Sequence, residues 1–364
     1  MPAKGPIQHV VLIIKENHTF DNYFGTFPGV NGDSTLVHSP NPPTQSPSNS
    51  HTAWLNRATK ALRQQYIEAD IPTYFAYARQ FTLADNYFTD VASDSTPNHL
   101  MLIAADSPVI SNISSGSTET FDIPSLPASM DAAGVSWANY GGFAFAYIQA
   151  LAGKPELPSA QFAKDAAAGK LPAVSWVYAP GGLSEHPRDN VTQGMQWTVA
   201  QVNAVVAGGL WPETAIFITW DDWGGYYDHV TPGDVEQWTD GTQFRYGSRV
   251  GCLALSPYAK AGYVSSVLHS HVSLLKFCED TFALPSLNVR DAGADGMTDC
   301  FDFTQKPARP PAAAASGAAR ARAGAKSKSK SKPKLKLKGK PQGRKKAAPS
   351  KTPRQKKAKR LKRR

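Results

Sequence analysis

The sequence predicts an α/β fold, a three-layer arrangement with a mostly parallel central sheet covered by helices on both faces. Two observations carry this. Short apolar runs recur at 10–14, 135–137, 174–177, 216–220 and 250–255, with helix-length segments between them. Two of these runs also stop abruptly in acidic residues followed by a turn. In open α/β sheets, ligand chemistry gathers at such carboxyl ends of strands.

The elements follow in chain order. The run 10–14 is continuously apolar, as suits a strand buried on both faces. Residues 38–50, HSPNPPTQSPSNS, are a surface loop by their proline and serine content. Apolar spacing predicts a helix over 54–69 and a shorter one over 72–77. A further helix is expected over 196–206, stopping at Gly208-Gly209, and another over 272–282. No internal repeat is visible.

Charge divides the chain of 364 residues. From Pro307 onward there are 23 Lys and Arg and no acid, whereas residues 1–306 hold 16 basic and 29 acidic residues, a net of −13 behind the overall +10. The basic segment has no aromatic residue and three leucines, too little apolar surface to offset chain entropy, so 307–364 reads as a disordered tail after a domain over 1–306. Such a tail would meet a polyanion: nucleic acid, an anionic cell-envelope polymer or a lipid surface. Cys252, Cys278 and Cys300 form no disulfide framework and no zinc spacing; one disulfide is allowed, and buried small hydrophobes are expected. No run reaches the ~18 apolar residues of a bilayer span. The opening MPAKGPIQH shows no cleavable signal, which makes a cytoplasmic location the default expectation. Oligomeric state has no signature.

Chemistry concentrates in three places. VVLIIKENHTFDNYFG delivers Glu16 and Asn17 after the first strand, and AIFITWDDWGGYYDHV delivers Asp221 and Asp222 before Gly224-Gly225. Glu16 and Asn17 alone would serve as helix caps, and Asp221-Asp222 alone as a turn. Facing one crevice, they supply three carboxylates and an amide oxygen, a donor set for a hard cation. Between them lies DVASDSTPNHLML, where Ser-Thr-Pro-Asn precedes an apolar helical start. Thr96 therefore stands near a helix N-terminus, which favours an anion. Its hydroxyl is a candidate nucleophile, with Ser95 adjacent as the alternative, and Asn98 is a candidate donor to a phosphoryl oxygen. Trp220, Trp223, Tyr226 and Tyr227 read as rim packing or pocket lining. His51, His269 and His271 have no partner legible in the sequence.

These motifs, with Glu185-His186-Pro187 and the closing GSRVGCLALSPYAKAGYV, SLLKFCEDTF and FDF, resemble the bacterial phosphoesterase family of non-haemolytic phospholipases C and related acid phosphatases, over about residues 7–303. The resemblance implies an alkaline-phosphatase-like α/β/α fold, a divalent metal cation and phosphoester hydrolysis through a phospho-enzyme. It implies Glu16, Asn17, Asp221 and Asp222 as metal ligands and Thr96 as ligand and nucleophile. It also implies His186 as phosphoryl stabiliser or leaving-group acid, with His229 a second candidate. The chain departs from the pattern at Asp222, often Glu, at His18, commonly Arg or Lys, and at His99, Arg in some relatives. Sulfatases share the superfamily, but Ser95-Thr96-Pro97-Asn98-His99 lacks the arginine of their nucleophile motif. The rival from another class is a polyanion binder whose tail is the main functional element.

Overall fold

The computed structural model describes residues 5–114, 116–237 and 243–311. Its centre is built from the apolar runs. An eight-stranded sheet comprises β1 (His9–Lys15), β2 (Thr82–Ala84), β3 (Trp137–Tyr140), β4 (Glu156–Leu157), β5 (Val174–Tyr178), β6 (Thr214–Trp220), β7 (Cys252–Leu255) and β8 (Tyr263–Ser265). They lie in the order β8-β2-β7-β6-β1-β5-β3-β4. The two longest apolar runs, β1 and β6, are neighbours at the middle and pair in parallel. β1 pairs in parallel with β5 on its other side. β7 alone runs against the rest, antiparallel to both β6 and β2. Every residue of β5 and β6 is buried, which fits strands covered on both faces.

Helices α1 (Phe20–Phe24), α2 (Pro72–Gln80), α3 (Ser95–Ala104), α4 (Leu126–Ala133), α5 (Ser159–Ala167), α6 (Val191–Ala207) and α7 (His271–Phe282) supply the covering. α6 packs on α5 and α2, while α3 packs on α7 and α4, giving two helical layers about the sheet. The expected three-layer fold is present, and the expected strands at 10–14, 174–177, 216–220 and 250–255 fall on β1, β5, β6 and β7.

Two expectations are corrected. The helix over 54–69 is replaced by two single turns, His51–Leu55 and Arg57–Lys60, after which Gln64–Gln65 runs extended beside Val37–His38. Trp54 is the one buried residue of the two turns and Leu55 is 59% exposed, so no apolar face exists to hold a longer helix. The strand expected at 135–137 begins at Trp137 instead, because Gly134, at φ 68°, closes α4 in the left-handed conformation and the next two residues make the turn.

The three cysteines are free and buried. No helix among the described residues is long and apolar enough to cross a membrane. Packing continues past residue 306: Ala308 N donates to Pro257 O at 2.7 Å, and Trp211 Nε1 to Ala308 O at 3.1 Å. The expectation of a disordered tail falls, from 312 onward, outside the described residues.

Candidate active site at the carboxyl ends of the sheet

Register brings the two acidic strand ends together. Lys15 sits opposite Trp220 in the β1–β6 ladder, so Glu16 and Asp221 leave the sheet side by side. Asp221 N donates to Lys15 O at 2.9 Å, and Asn17 N donates to Asp221 Oδ1 at 2.9 Å. Asn17 takes φ 64°, a conformation asparagine tolerates better than most residues. The turn after Asp222 is pressed onto it: a Cβ on Gly224 would meet Asn17 O at 2.1 Å, so only glycine fits.

Asp222 organises the centre. Its Oδ1 accepts Asn17 Nδ2 at 2.6 Å and Gly224 N at 2.7 Å; its Oδ2 accepts Asn49 Nδ2 at 2.8 Å and Ser95 Oγ at 2.9 Å. Ser95 opens α3, so its hydroxyl lies at a helix N-terminus and faces this carboxylate. Thr96 is 3% exposed, with its N–H held by Asn112 Oδ1 at 2.7 Å, whereas Ser95 is half-buried. One helical turn beyond Ser95, on the same face, His99 places Nε2 3.2 Å from Asp221 Oδ2 and 3.8 Å from Glu16 Oε1.

Crowding shows in the electrostatics. Burial, then Asp221 and Asp222, raises the Glu16 carboxyl well above its usual range. Burial and Asp221 do the same to Asp222. Burial alone would raise Asp221 as well, but His99 and the Asn17 N–H outweigh it and hold that carboxyl low. Asn17 Oδ1, Asp221 Oδ2 and both ring nitrogens of His99 are buried without a hydrogen-bond partner. The His99 contact with Asp221 is thus close but out of line. Ligand atoms of Glu16, His99 and Asp221 lie within 4.8 Å of one another. Lone pairs left unsatisfied beside three carboxylates fit a bound cation.

Behind the cluster sits a second hub, Glu185. Its carboxylate, fully buried, accepts Tyr74 OH at 2.7 Å, Tyr23 OH at 2.9 Å and Trp220 Nε1 at 3.0 Å, with Lys15 Nζ at 3.2 Å. Its own φ is 72°, and a Cβ on Gly194 would meet its Cγ at 2.2 Å. Glu185 O faces His18 Nε2 at 2.6 Å. This locks β1, β6 and the 184–189 loop together, and His186, exposed, is the residue it presents. Trp220, Trp223 and Tyr226 are buried packing.

The structure therefore joins Glu16, Asn17, Asp221 and Asp222 with Ser95, beside Thr96. Asn98 is not available as expected: it is fully buried, accepts Val91 N at 2.9 Å, and commits its amide hydrogens to Val91 O and Asp94 O at 3.1 and 3.0 Å, shaping the turn before α3. His229 belongs elsewhere, bonded to Asp21 Oδ2 at 2.7 Å and Asn31 Oδ1 at 3.0 Å. It lines a cavity of about 270 Å³ with Arg57, Arg63 and Tyr227 that includes none of the Glu16 group. Sequence reasoning missed Asn49, which arrives from a distant loop, and the role of His99, whose i, i+4 spacing from Ser95 was a usable signal. His51 and His271 also have partners: His51 Nδ1 lies 2.8 Å from Ala92 O and His271 Nε2 2.7 Å from Asp221 O.

Fold and site together describe an α/β protein with a cation-ready carboxylate cluster and a hydroxyl at a helix N-terminus. Residues 7–47 and 44–285 match the profile of the Phosphoesterase family, and the chain belongs to that family. It is 26% identical to a non-hemolytic phospholipase C of Pseudomonas aeruginosa, covering 82% of this chain and 57% of that protein. It is 25% identical to phospholipase C A of Mycobacterium tuberculosis, covering 83% and 78%. The chain thus spans little more than half the length of the Pseudomonas relative. The sulfatase PsFucS1 from Pseudoalteromonas sp. superposes with a TM-score of 0.50 at 12% identity, covering 83% of this chain and 74% of that one. This likeness is of fold, alkaline-phosphatase-like, and carries nothing about substrate.

Proposed function

We propose that the chain is a metal-dependent phosphoric ester hydrolase of phospholipase C or acid phosphatase type, with Ser95 as nucleophile. One observation carries the assignment: the half-buried Ser95 hydroxyl donates to Asp222 at 2.9 Å beside a cluster whose oxygens lack partners. Thr96, the residue expected from the sequence, is the weaker of the two adjacent hydroxyls because it is nearly fully buried. A nucleophile must reach the phosphorus.

Glu16, Asn17 Oδ1, Asp221 and His99 are the groups that would hold a divalent cation, which supplies charge neutralisation at a phosphoryl oxygen. The protein's own groups do the rest. Asp222 Oδ2 takes the Ser95 proton as the Oγ–P bond forms and the bond to the leaving oxygen breaks. His186, at the exposed edge of the loop that Glu185 fixes, gives the leaving oxygen its proton. Water then cleaves the phosphoserine, releasing phosphate or a phosphorylated headgroup.

The test is Ser95→Ala against Thr96→Val, assayed on p-nitrophenyl phosphate and on p-nitrophenyl phosphorylcholine. Ser95→Ala should abolish turnover on whichever ester is used, and Thr96→Val should retain it within about tenfold. The reverse pattern would restore Thr96; full activity in both would end the covalent reading. The first ester favours the phosphatase and the second the phospholipase. The 23 cations of 307–364 support an accessory role, salt-sensitive attachment to a polyanion. Deleting residues 312–364, which spares the packed Ala308, should leave soluble-ester turnover unchanged and weaken binding to anionic vesicles.

A further inference from the structure

We propose that His269, Asp299 and Cys300 form a second cation site, of the zinc class, at the far edge of the sheet. The three ligand atoms lie within 4.8 Å of one another. His269 Nε2 is 3.1 Å from Asp299 Oδ1, and Cys300 Sγ is 3.6 Å from the same oxygen. Zinc bonds of about 2.0 Å to nitrogen or oxygen and about 2.3 Å to sulfur, at tetrahedral angles, separate ligand atoms by roughly 3.3–3.5 Å. The two edges that meet at Asp299 Oδ1, 3.1 and 3.6 Å, bracket that range. Ser265 Oγ, 3.1 Å from Nε2, stands within reach of a fourth position.

A second observation points the same way. On the far side of the ring, His269 Nδ1 lies 3.2 Å from Asp295 Oδ1, yet that buried nitrogen makes no aligned hydrogen bond. A carboxylate on the outer nitrogen of a histidine is the arrangement that orients metal-ligating imidazoles. His269 is 1% exposed and Cys300 fully buried, so the site is enclosed on its softer side. Binding ionises the Cys300 S–H bond, forms a sulfur–metal bond and releases the proton to solvent. Imidazole and thiolate select zinc or cobalt over magnesium or calcium, unlike the oxygen-rich Glu16 cluster.

The site would fasten three pieces of chain. Ser265 ends β8, His269 stands two residues before α7, and Cys300 closes the Thr298–Cys300 turn. Its reach extends to the centre through His271, which contacts Asp221 O.

Cobalt distinguishes the two sites, because only this one contains sulfur. Full-length protein stripped by chelator and reloaded with Co(II) should show a near-ultraviolet thiolate-to-cobalt band. The band should vanish in Cys300→Ser and persist in Cys278→Ser and in Asp221→Asn, whose lesion lies in the other cluster. Asp295→Asn, a partly exposed substitution, should weaken the cobalt titration of that band about 10–100-fold. Cobalt bound to the wild type without the band, or a band surviving in Cys300→Ser, overturns the site and leaves His269 as a structural bridge between Asp295 and Asp299. If Cys300→Ser does not fold, the wild-type spectrum and the Asp295→Asn titration decide; an unshifted Asp295→Asn titration counts against the site.

Discussion

Two clusters in this protein contain the same kinds of groups and have opposite fates. One is Glu16, His99 and Asp221; the other is Asp21, Asp228 and His229. In the second, a fully buried Arg249 donates to Asp21 Oδ1 at 3.0 Å and to Asp228 Oδ1 at 3.1 Å, and Asp33 N and Val230 N add further donors. Every carboxylate oxygen there has a partner. In the first, Asp221 Oδ2, Asn17 Oδ1 and His99 have none. Composition alone would rank the clusters equally. Satisfaction separates these two: Arg249 completes the second as a brace, and the first, left incomplete, is the candidate site.

The contrast breaks most sharply under substitution. Asp221→Asn should lower turnover by roughly 10³-fold, since several kcal/mol of charge stabilisation go with the cation. Thermal stability without added metal should hold or rise, because Glu16 and Asp222 lose a repelling neighbour. Arg249→Met should do the converse. It leaves two buried aspartates uncompensated, at about 3–5 kcal/mol in urea unfolding, while turnover per folded molecule stays near wild type. Unchanged urea stability in Arg249→Met would remove the distinction.

Glu185→Gln probes the buried hub behind the first cluster. Glutamine keeps the shape but leaves Lys15 Nζ, otherwise bonded to Leu183 O at 2.6 Å, without its carboxylate. Burial already lowers the Lys15 pKa, and Glu185 is the main group opposing this. A loss of about 2 kcal/mol is expected, with kcat reduced about tenfold and KM little changed as His186 loses its fixed approach. Smaller still, His229→Asn should cost about 1 kcal/mol and leave turnover intact. A hundredfold fall in turnover would return His229 to the reaction.

Much of this was legible in the sequence, for a physical reason. β1 and β6 are long, apolar and buried on both faces, so pattern alone fixes them, and the carboxylates that end them come along in register. Three-residue strands such as β2 and β8 are too short to show a period. The false helix over 54–69 shows the limit: spacing existed, but in the two turns that form only Trp54 found a core to face, and Leu55 is left exposed. Asn49 and the choice between Ser95 and Thr96 depend on contacts between distant segments, and neighbouring hydroxyls look alike until a helix start turns one outward. Asn98 was misjudged for the same reason, since a buried turn clamp and a substrate donor share one residue type.

A third carboxylate sharpens the rule that unpaired lone pairs mark a site. Glu279 Oε1 is also buried without a partner, with Ser286 Oγ donating to Oε2 at 3.1 Å, Lys276 Nζ 3.9 Å from Oε2, and Asp291 beside it. Burial first, then Asp291, pushes its pKa up to about 9, so here a proton completes the group where a cation would complete the Glu16 cluster. The sign follows from linkage: between the unfolded value near 4.5 and about 9, the folded state holds a proton the unfolded state lacks. That contribution to stability is full below the lower value and declines as pH rises through the window. Glu279→Gln, which mimics the protonated acid, should flatten this slope between about pH 5 and 8, gaining stability over wild type toward the alkaline end and matching it near pH 4. Urea midpoints of both proteins across that range provide the check. An identical slope in the two would mean that Glu279 is ionised in the fold, and that its unpaired oxygen needs an ion after all.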